Sequence, residues 1–268
     1  MIETLKTIFK DNWQWRKQIA RLAVFELIKK SRGAVLSWAW LFIKPAIFIF
    51  VFWFALDLGL RAGQEMNPPY FLWLVAGLIP WFFMQEMLGS GSDVLHRYPY
   101  LVNKIKFPLS GISSLYSLSQ LFIHGGMIIV LLIIYFAMGM PLDIHLLQVP
   151  LIVVLMVLFF NVYSILTSQL SALSKDFANL IKAFLTPLFW LSGIIYNVFE
   201  LGIPWVQNVL MFNPITFFAN AYRDAFYSRT WFWENTEALL CFGVVFLLTF
   251  LVMLAVYKRV HEEVSDAL

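Results

Sequence analysis

With 268 residues, 61% of them hydrophobic and 13% charged, the chain lies outside the soluble range of about 45–50% apolar and about 25% charged. That balance excludes a soluble globular domain and a disordered segment, because the apolar excess falls in runs of about 20 residues or more, the length that crosses a bilayer. The single cysteine, Cys241, excludes an intrachain disulfide, and the net charge of +3 matters only through where the charges sit.

Residues 1–33 are basic and amphipathic. Lys6, Lys10, Arg16, Lys17, Arg21, Lys29, Lys30 and Arg32 alternate with Trp13, Trp15, Ile19, Leu22, Phe25 and Ile28. Apolar residues recur every three or four positions from Trp15 onward, which predicts a helix in the headgroup plane with its cations toward anionic lipid.

Six apolar runs follow, at about 34–57, 70–91, 112–139, 146–172, 180–198 and 237–257. Each is long enough to span, and helices are expected because lipid offers no partner to a free backbone amide. Lys and Arg gather before span one, between spans two and three, at the junction of spans four and five, and after span six. Only Arg61, Arg223 and Arg229 are left for the opposite side, so both termini are expected in the cytoplasm. The chain therefore divides into a cytoplasmic interface or gate helix (1–33), an all-α transmembrane domain (34–260) and a short cytoplasmic tail (261–268).

The stretch 199–234 is too polar for a span and too aromatic for a solvated loop. A single crossing here would put Lys258 and Arg259 outside, against the charge rule. The segment is therefore expected to dip in and return, or to lie on the outer surface, as two short helices over 203–229 broken at Asn213-Pro214. Proline at a helix's first turn costs nothing, because that N–H has no intrahelical partner.

Polar residues inside the spans form two stripes. Ser113, Ser117, Gln120 and His124 share one face of span three, and Asn161, Ser164, Ser168 and Ser171 one face of span four, with Tyr163 beside them. Both stripes fall in the cytoplasmic half, where they either line a hydrated vestibule or pack helix on helix. His124 is an intramembrane ionisable group that is either functional or a neutral hydrogen-bond partner. Lys44, beside Pro45 in span one, either snorkels to the inner headgroups or presents its charge to a lipid phosphate. The basic loop 92–108 mixes Arg97, Lys104 and Lys106 with Leu101, Val102 and Phe107, as a short amphipathic helix docking on a cytosolic partner would. No phosphate-cradling G-x-x-x-x-G-K-[ST], no H-E-x-x-H and no G-x-S-x-G occurs, so no catalytic or metal site and no cofactor is expected in this chain.

In order and spacing these features resemble the permease of type-2 ABC exporters over essentially the whole chain. Phe25 to Gly33, then Leu36-Ser37-Trp38-Ala39-Trp40 closing at Lys44-Pro45, are similar to the family's approach to span one, although Ser37 stands where glycine is usual. Gly77-Leu78-Ile79-Pro80-Trp81-Phe82-Phe83 and Phe212-Asn213-Pro214 resemble the polysaccharide-exporting branch. Lys104-Ile105-Lys106-Phe107-Pro108-Leu109-Ser110 is most similar to the Gram-positive wall teichoic acid translocation permeases. The resemblance implies a multi-pass cell-membrane homodimer above two separate ABC ATPase subunits that hold ATP and Mg. The cargo it implies is a polymer on polyprenyl pyrophosphate, wall teichoic acid in the first place and O-antigen or capsule as the alternative. Nucleic acid has no part in it.

The resemblance also implies roles. His96, Arg97, Tyr98, Tyr100, Asn103, Lys104 and Lys106 would couple to the ATPase. Lys29, Lys30, Arg32, Trp38 and Lys44 would receive the pyrophosphate at the cytoplasmic entrance. Ser117, Gln120, His124, Asn161, Tyr163, Ser164 and Ser168 would line the path. Trp205, Phe212, Asn213, Pro214, Phe217, Phe218, Tyr222 and Phe226 would close its outer end. Two readings from other classes stand beside this one: a membrane enzyme acting on polyprenyl-linked sugars, with 199–234 as its lid, and a channel or scaffold subunit with no ATPase.

Overall fold

A computed structural model describes residues 1–31, 37–61 and 66–267, and these are helical with turns and no strand. Two helices, α1 (Ile2–Gln14) and α2 (Arg16–Ser31), precede the first long apolar helix, α3 (Trp40–Trp53), whose last turn widens to a π-helix over Phe54–Gly59. Next come α4 (Tyr70–Gly89), the short α5 (Pro99–Asn103), α6 (Leu109–Ala137) and α7 (Val149–Leu173). The chain continues through α8 (Lys175–Leu191), the short pair α9 (Pro204–Met211) and α10 (Pro214–Arg223), and α11 (Thr236–Ala267).

Among the described residues, five helical stretches are long and apolar enough to cross a membrane: Trp40–Gly59, Tyr70–Asp93, Leu109–Ala137, Ile144–Leu173 and Thr236–Val260. The run expected at 180–198 does not form a full-length sixth. Its helix, α8, has 17 residues, about 25 Å at 1.5 Å per residue, against a hydrocarbon core of about 30 Å. The apolar run outlasts the helix because Gly193 takes φ +68, and a Cβ there would sit 2.2 Å from Val198 Cγ2. Only glycine fits that left-handed turn.

The five are buried very unequally. In α4 and its extension 78% of the apolar window is buried, against 6% for Trp40–Gly59 and 17% for Thr236–Val260. Thus α4 is the hub and α3 and α11 are rim helices. Around the hub, Tyr135 of α6 donates its hydroxyl to the Leu72 carbonyl at 2.8 Å. Trp81 meets Phe189 of α8 at 5.4 Å, and Phe82 meets Phe48 of α3 at 5.7 Å. The most extensive pairing is α7 with α11, where Phe159 lies against Phe242 and Phe246.

The basic N-terminal segment is two helices rather than one, and it packs on protein as well as presenting an apolar outer face. Ile19, Ala23 and Leu27, four residues apart, are buried, while Phe25 is half exposed. Asn12 donates to Ser110 Oγ at 3.0 Å, and Trp15, at the break between the helices, packs edge-on to Phe107 at 4.8 Å. On α1, Ile2, Leu5, Phe9 and Trp13 form an exposed apolar stripe of the kind that beds into a headgroup layer. The last helix runs on through the expected tail as far as Ala267.

Candidate functional site

Three neighbourhoods hold the residues singled out in the sequence. The first is a polar cavity of about 490 Å³ between α3, α4 and α6, lined by Lys30, Lys44, Gln85, Glu86, Gln120 and His124 among others. It unites residues from two groups expected to be separate, the entrance cations and the span-three stripe. Lys30 reaches Glu86 at 3.7 Å and stands 5.5 Å over the Tyr116 ring, whose hydroxyl donates to Glu86 Oε2 at 2.8 Å. The opposite charge thus holds Lys30, whereas among the described residues Lys44 is exposed and meets no acid. Lys29 stands 6.0 Å over the Tyr98 ring, and Trp38 is half exposed on the turn before α3. Arg32 lies outside the described residues.

The two polar stripes part company. Gln120 and His124 are buried yet line the cavity, and His124 Nε2 is hydrogen-bonded to the Tyr222 hydroxyl, joining α6 to α10. Ser117 is buried between helices. On α7, Ser164 donates to the Gly91 carbonyl at 2.8 Å, Ser168 Oγ faces Ser113 Oγ at 3.5 Å, and Asn161 donates to Ser114 at 3.2 Å. Tyr163 is half buried beside Phe160. The α7 stripe therefore makes helix contacts, the alternative that small hydroxyl residues usually favour.

The second neighbourhood is the loop after α4. Leu95, Leu101, Val102 and Phe107 anchor it, while Tyr100, Asn103, Lys104, Ile105 and Lys106 form its exposed tip. His96 and Arg97 are turned to internal partners: His96 Nδ1 lies 2.8 Å from Asp93, and Arg97 donates to Ser90 Oγ at 2.8 Å. Asp93 also takes Lys182 at 2.7 Å, tying the loop to α8. Burial, with the Glu26 carboxylate beside it, pushes the Tyr98 phenol far above its ordinary range.

The third is the aromatic segment between α8 and α11. Asn213 caps α10, its side-chain oxygen accepting from Ile215 N at 2.9 Å and its amide donating to Ser192 Oγ at 2.8 Å, with Pro214 at the first turn. The expected break is thus also a pin to the turn after α8. Phe217, Phe218, Tyr222 and Phe226 are buried in the core of the chain; Phe217 stacks on Phe242 at 4.4 Å, and Phe226 meets Tyr135 at 5.4 Å. Trp205 and Phe212 remain exposed. Of the eight residues expected to close the path, these two alone present rings outward in a single copy, because α10 turns its aromatic face to α4, α7 and α11.

Sequence reasoning counted Arg223 among the outer-side charges and gave it no role at a site. It is buried, lies 3.3 Å over the Trp73 ring, and donates to the carbonyls of Gly193 and Ile194. Gly77 makes the room, since a Cβ there would stand 2.5 Å from Arg223 Nη2. The signal was legible only in retrospect: a glycine in the hub helix and, in an apolar segment, an arginine followed directly by Asp224.

A buried helical hub, sparsely buried apolar rim helices and a charged cavity inside the bundle suit a multi-pass permease of the cell membrane. Residues 17–227 match the ABC-2 type transporter family, and the chain belongs to it. It is 19% identical to the O-antigen export system permease protein RfbA of Myxococcus xanthus over 262 residues, 97% of this chain and 99% of that protein. It is also 24% identical to the protein of the same name from Klebsiella pneumoniae over 253 residues, 91% and 92% of the two chains.

Proposed function

We propose that this permease moves a lipid-linked polysaccharide of the O-antigen or capsule kind from the cytoplasmic to the outer side of the membrane. The observation that carries the reading is likeness to O-antigen export permeases along nearly the whole of both chains. Wall teichoic acid is the second reading, favoured by the segment Lys104 to Ser110; it ranks below because that likeness is local.

In this reading two copies of the chain enclose the path and two ABC ATPase subunits, carrying ATP and Mg, lie beneath. The chain crosses six times with both termini cytoplasmic, α8 serving as a short fifth crossing and α9–α10 as a re-entrant pair. The exposed tip Tyr100 to Lys106 docks in the ATPase, supported by its apolar anchors and by the Asp93–Lys182 tie to α8. Lys44 and Lys30 receive the phosphate end of the lipid carrier, supported by the cavity they line. Gln120 and His124 border that receiving space. Trp205 and Phe212, joined by their counterparts in the second copy, close the outer end, with Phe217, Phe218, Tyr222 and Phe226 holding α10 in place.

The test is complementation in a host lacking its own O-antigen permease, with the cognate ATPase co-expressed and surface polymer measured by antibody. Surface O-antigen is the expected result. Polymer retained inside, together with restored teichoic acid in a Gram-positive host lacking that permease, would favour the second reading.

A further inference from the structure

The polar cavity does not end at Lys44. A second, apolar cavity of about 510 Å³ lies along the same cleft between α3, α4 and α6, and Pro45 and Met127 line both. Its walls are Phe42, Ile49, Phe50, Trp53, Val130 and Ile134, with Phe71 at its far end. Gly126 lets the walls meet, since a Cβ there would stand 2.9 Å from the Phe42 ring. The combined cleft has a direction. At one end lie Lys30, Lys44 and a single carboxylate, Glu86, a net positive charge; at the other lies Asp57, held by Trp53 Nε1 at 2.9 Å. His124, fully buried on the wall of the charged end, keeps one ring nitrogen, Nδ1, without a partner.

We infer that this cleft is a binding site for the isoprenoid chain of a polyprenyl phosphate, with the phosphate at Lys44 and the chain running toward Phe71; the inference rests on the export reading above. Charge complementarity sets the orientation: an anionic head is attracted to the lysine end and repelled by Asp57. The walls suit a single methyl-branched chain, which fills gaps between rings and branched side chains. Among the described residues Lys44 meets no acid, so an anionic head would supply the counter-ion its charge lacks. The peripheral helix α3, so little buried, acts as the movable wall.

The experiment uses the chain in nanodiscs and three probes with the same mid-chain diazirine: a polyprenyl phosphate, the corresponding neutral polyprenol, and a phosphatidylglycerol. Crosslinks from the polyprenyl phosphate are expected on the 49–53 and 130–138 segments. Val130→Trp, which fills the cleft from a half-exposed position, should cut this labelling about tenfold, the loss of roughly two buried methylenes of contact. Ile134→Trp serves as the second filling variant, and Leu158→Trp on the exposed face of α7 should leave labelling unchanged. Lys44→Glu should lower labelling by the phosphate about tenfold while sparing the polyprenol. Labelling spread over α7 and α11 without the cleft, no effect of both filling variants, or equal cleft labelling by phosphatidylglycerol would each overturn the inference. If the cleft fails while Val130→Trp protein still binds its ATPase and exports polymer, the export reading stands. If the cleft is labelled but no ATPase associates, it is the export reading that fails.

Discussion

The Gly77–Arg223 contact allows the packing account to be tested by a double-mutant cycle. Gly77→Ala sets a methyl 2.5 Å from Arg223 Nη2 and 3.0 Å from Cζ, well inside van der Waals contact, and overpacking of this kind costs about 1–3 kcal/mol. Arg223 cannot simply retreat, because Trp73 lies 3.3 Å from its Cζ and the carbonyls of Gly193 and Ile194 take its hydrogens. Arg223→Met leaves those carbonyls without a donor and removes the ring contact, a cost of about 3 kcal/mol. A flexible thioether next to residue 77 tolerates the new methyl, so the double variant should be little worse than Arg223→Met alone. That predicts a coupling of about 2 kcal/mol, read as a Tm difference of about 4–8 °C for a chain of this size. The assay is thermal unfolding in nanodiscs followed by tryptophan emission and by retention on size exclusion. If Gly77→Ala costs the same with and without Arg223, the guanidinium is not what fills the notch and the latch account is wrong.

Three further outcomes follow from the same contacts. Asn213→Ala removes the α10 cap and the link to Ser192; it should cost about 1–2 kcal/mol, whereas Asn213→Asp, which keeps the cap, should recover at least half, as thermal unfolding would show. Gly193→Ala forces a Cβ into a left-handed turn against Val198 and should cost more than about 2 kcal/mol, partly relieved by Val198→Ala. Asp93→Lys should weaken pull-down of the ATPase, and the swap Asp93→Lys with Lys182→Asp should restore it, with stability changing by less than about 1 kcal/mol throughout because the pair is partly exposed.

What could be read in advance was local. The Asn213-Pro214 break was legible because capping and first-turn chemistry involve only neighbours in sequence, and the structure adds the long-range pin to Ser192. The membrane class and five of the six expected spans followed from run length, and the faces of the two polar stripes from helical spacing. What those faces meet was not legible: Gln120 and His124 of the α6 stripe border a cavity with Lys30 and Lys44, while Ser113 and the α7 stripe face neighbouring helices, and both stripes keep helical spacing. The end of α8 was misplaced because hydropathy continues smoothly through Ile194 to Phe199, whereas the helix stops at a backbone angle that only Gly193 tolerates. The aromatic rings of α10 signalled a special segment without telling whether they faced a path or a core. The role of Arg223 escaped notice because, Asn220 apart, its hydrogen-bond partners lie 29, 30 and 150 residues away, beyond any local pattern.

The central claim is ATP-driven export of a lipid-linked polysaccharide, and transport in reconstituted vesicles tests it most directly. The chain and its cognate ATPase would be placed in proteoliposomes with O-antigen on its polyprenyl pyrophosphate carrier, and polymer crossing the bilayer would be scored by accessibility to a polysaccharide-cleaving enzyme on the far side. The account predicts ATP-dependent crossing that falls to background with Lys104→Glu, which breaks docking. Crossing that proceeds without ATPase or ATP, or no crossing of any lipid-linked polysaccharide while the ATPase remains bound and active, would contradict it.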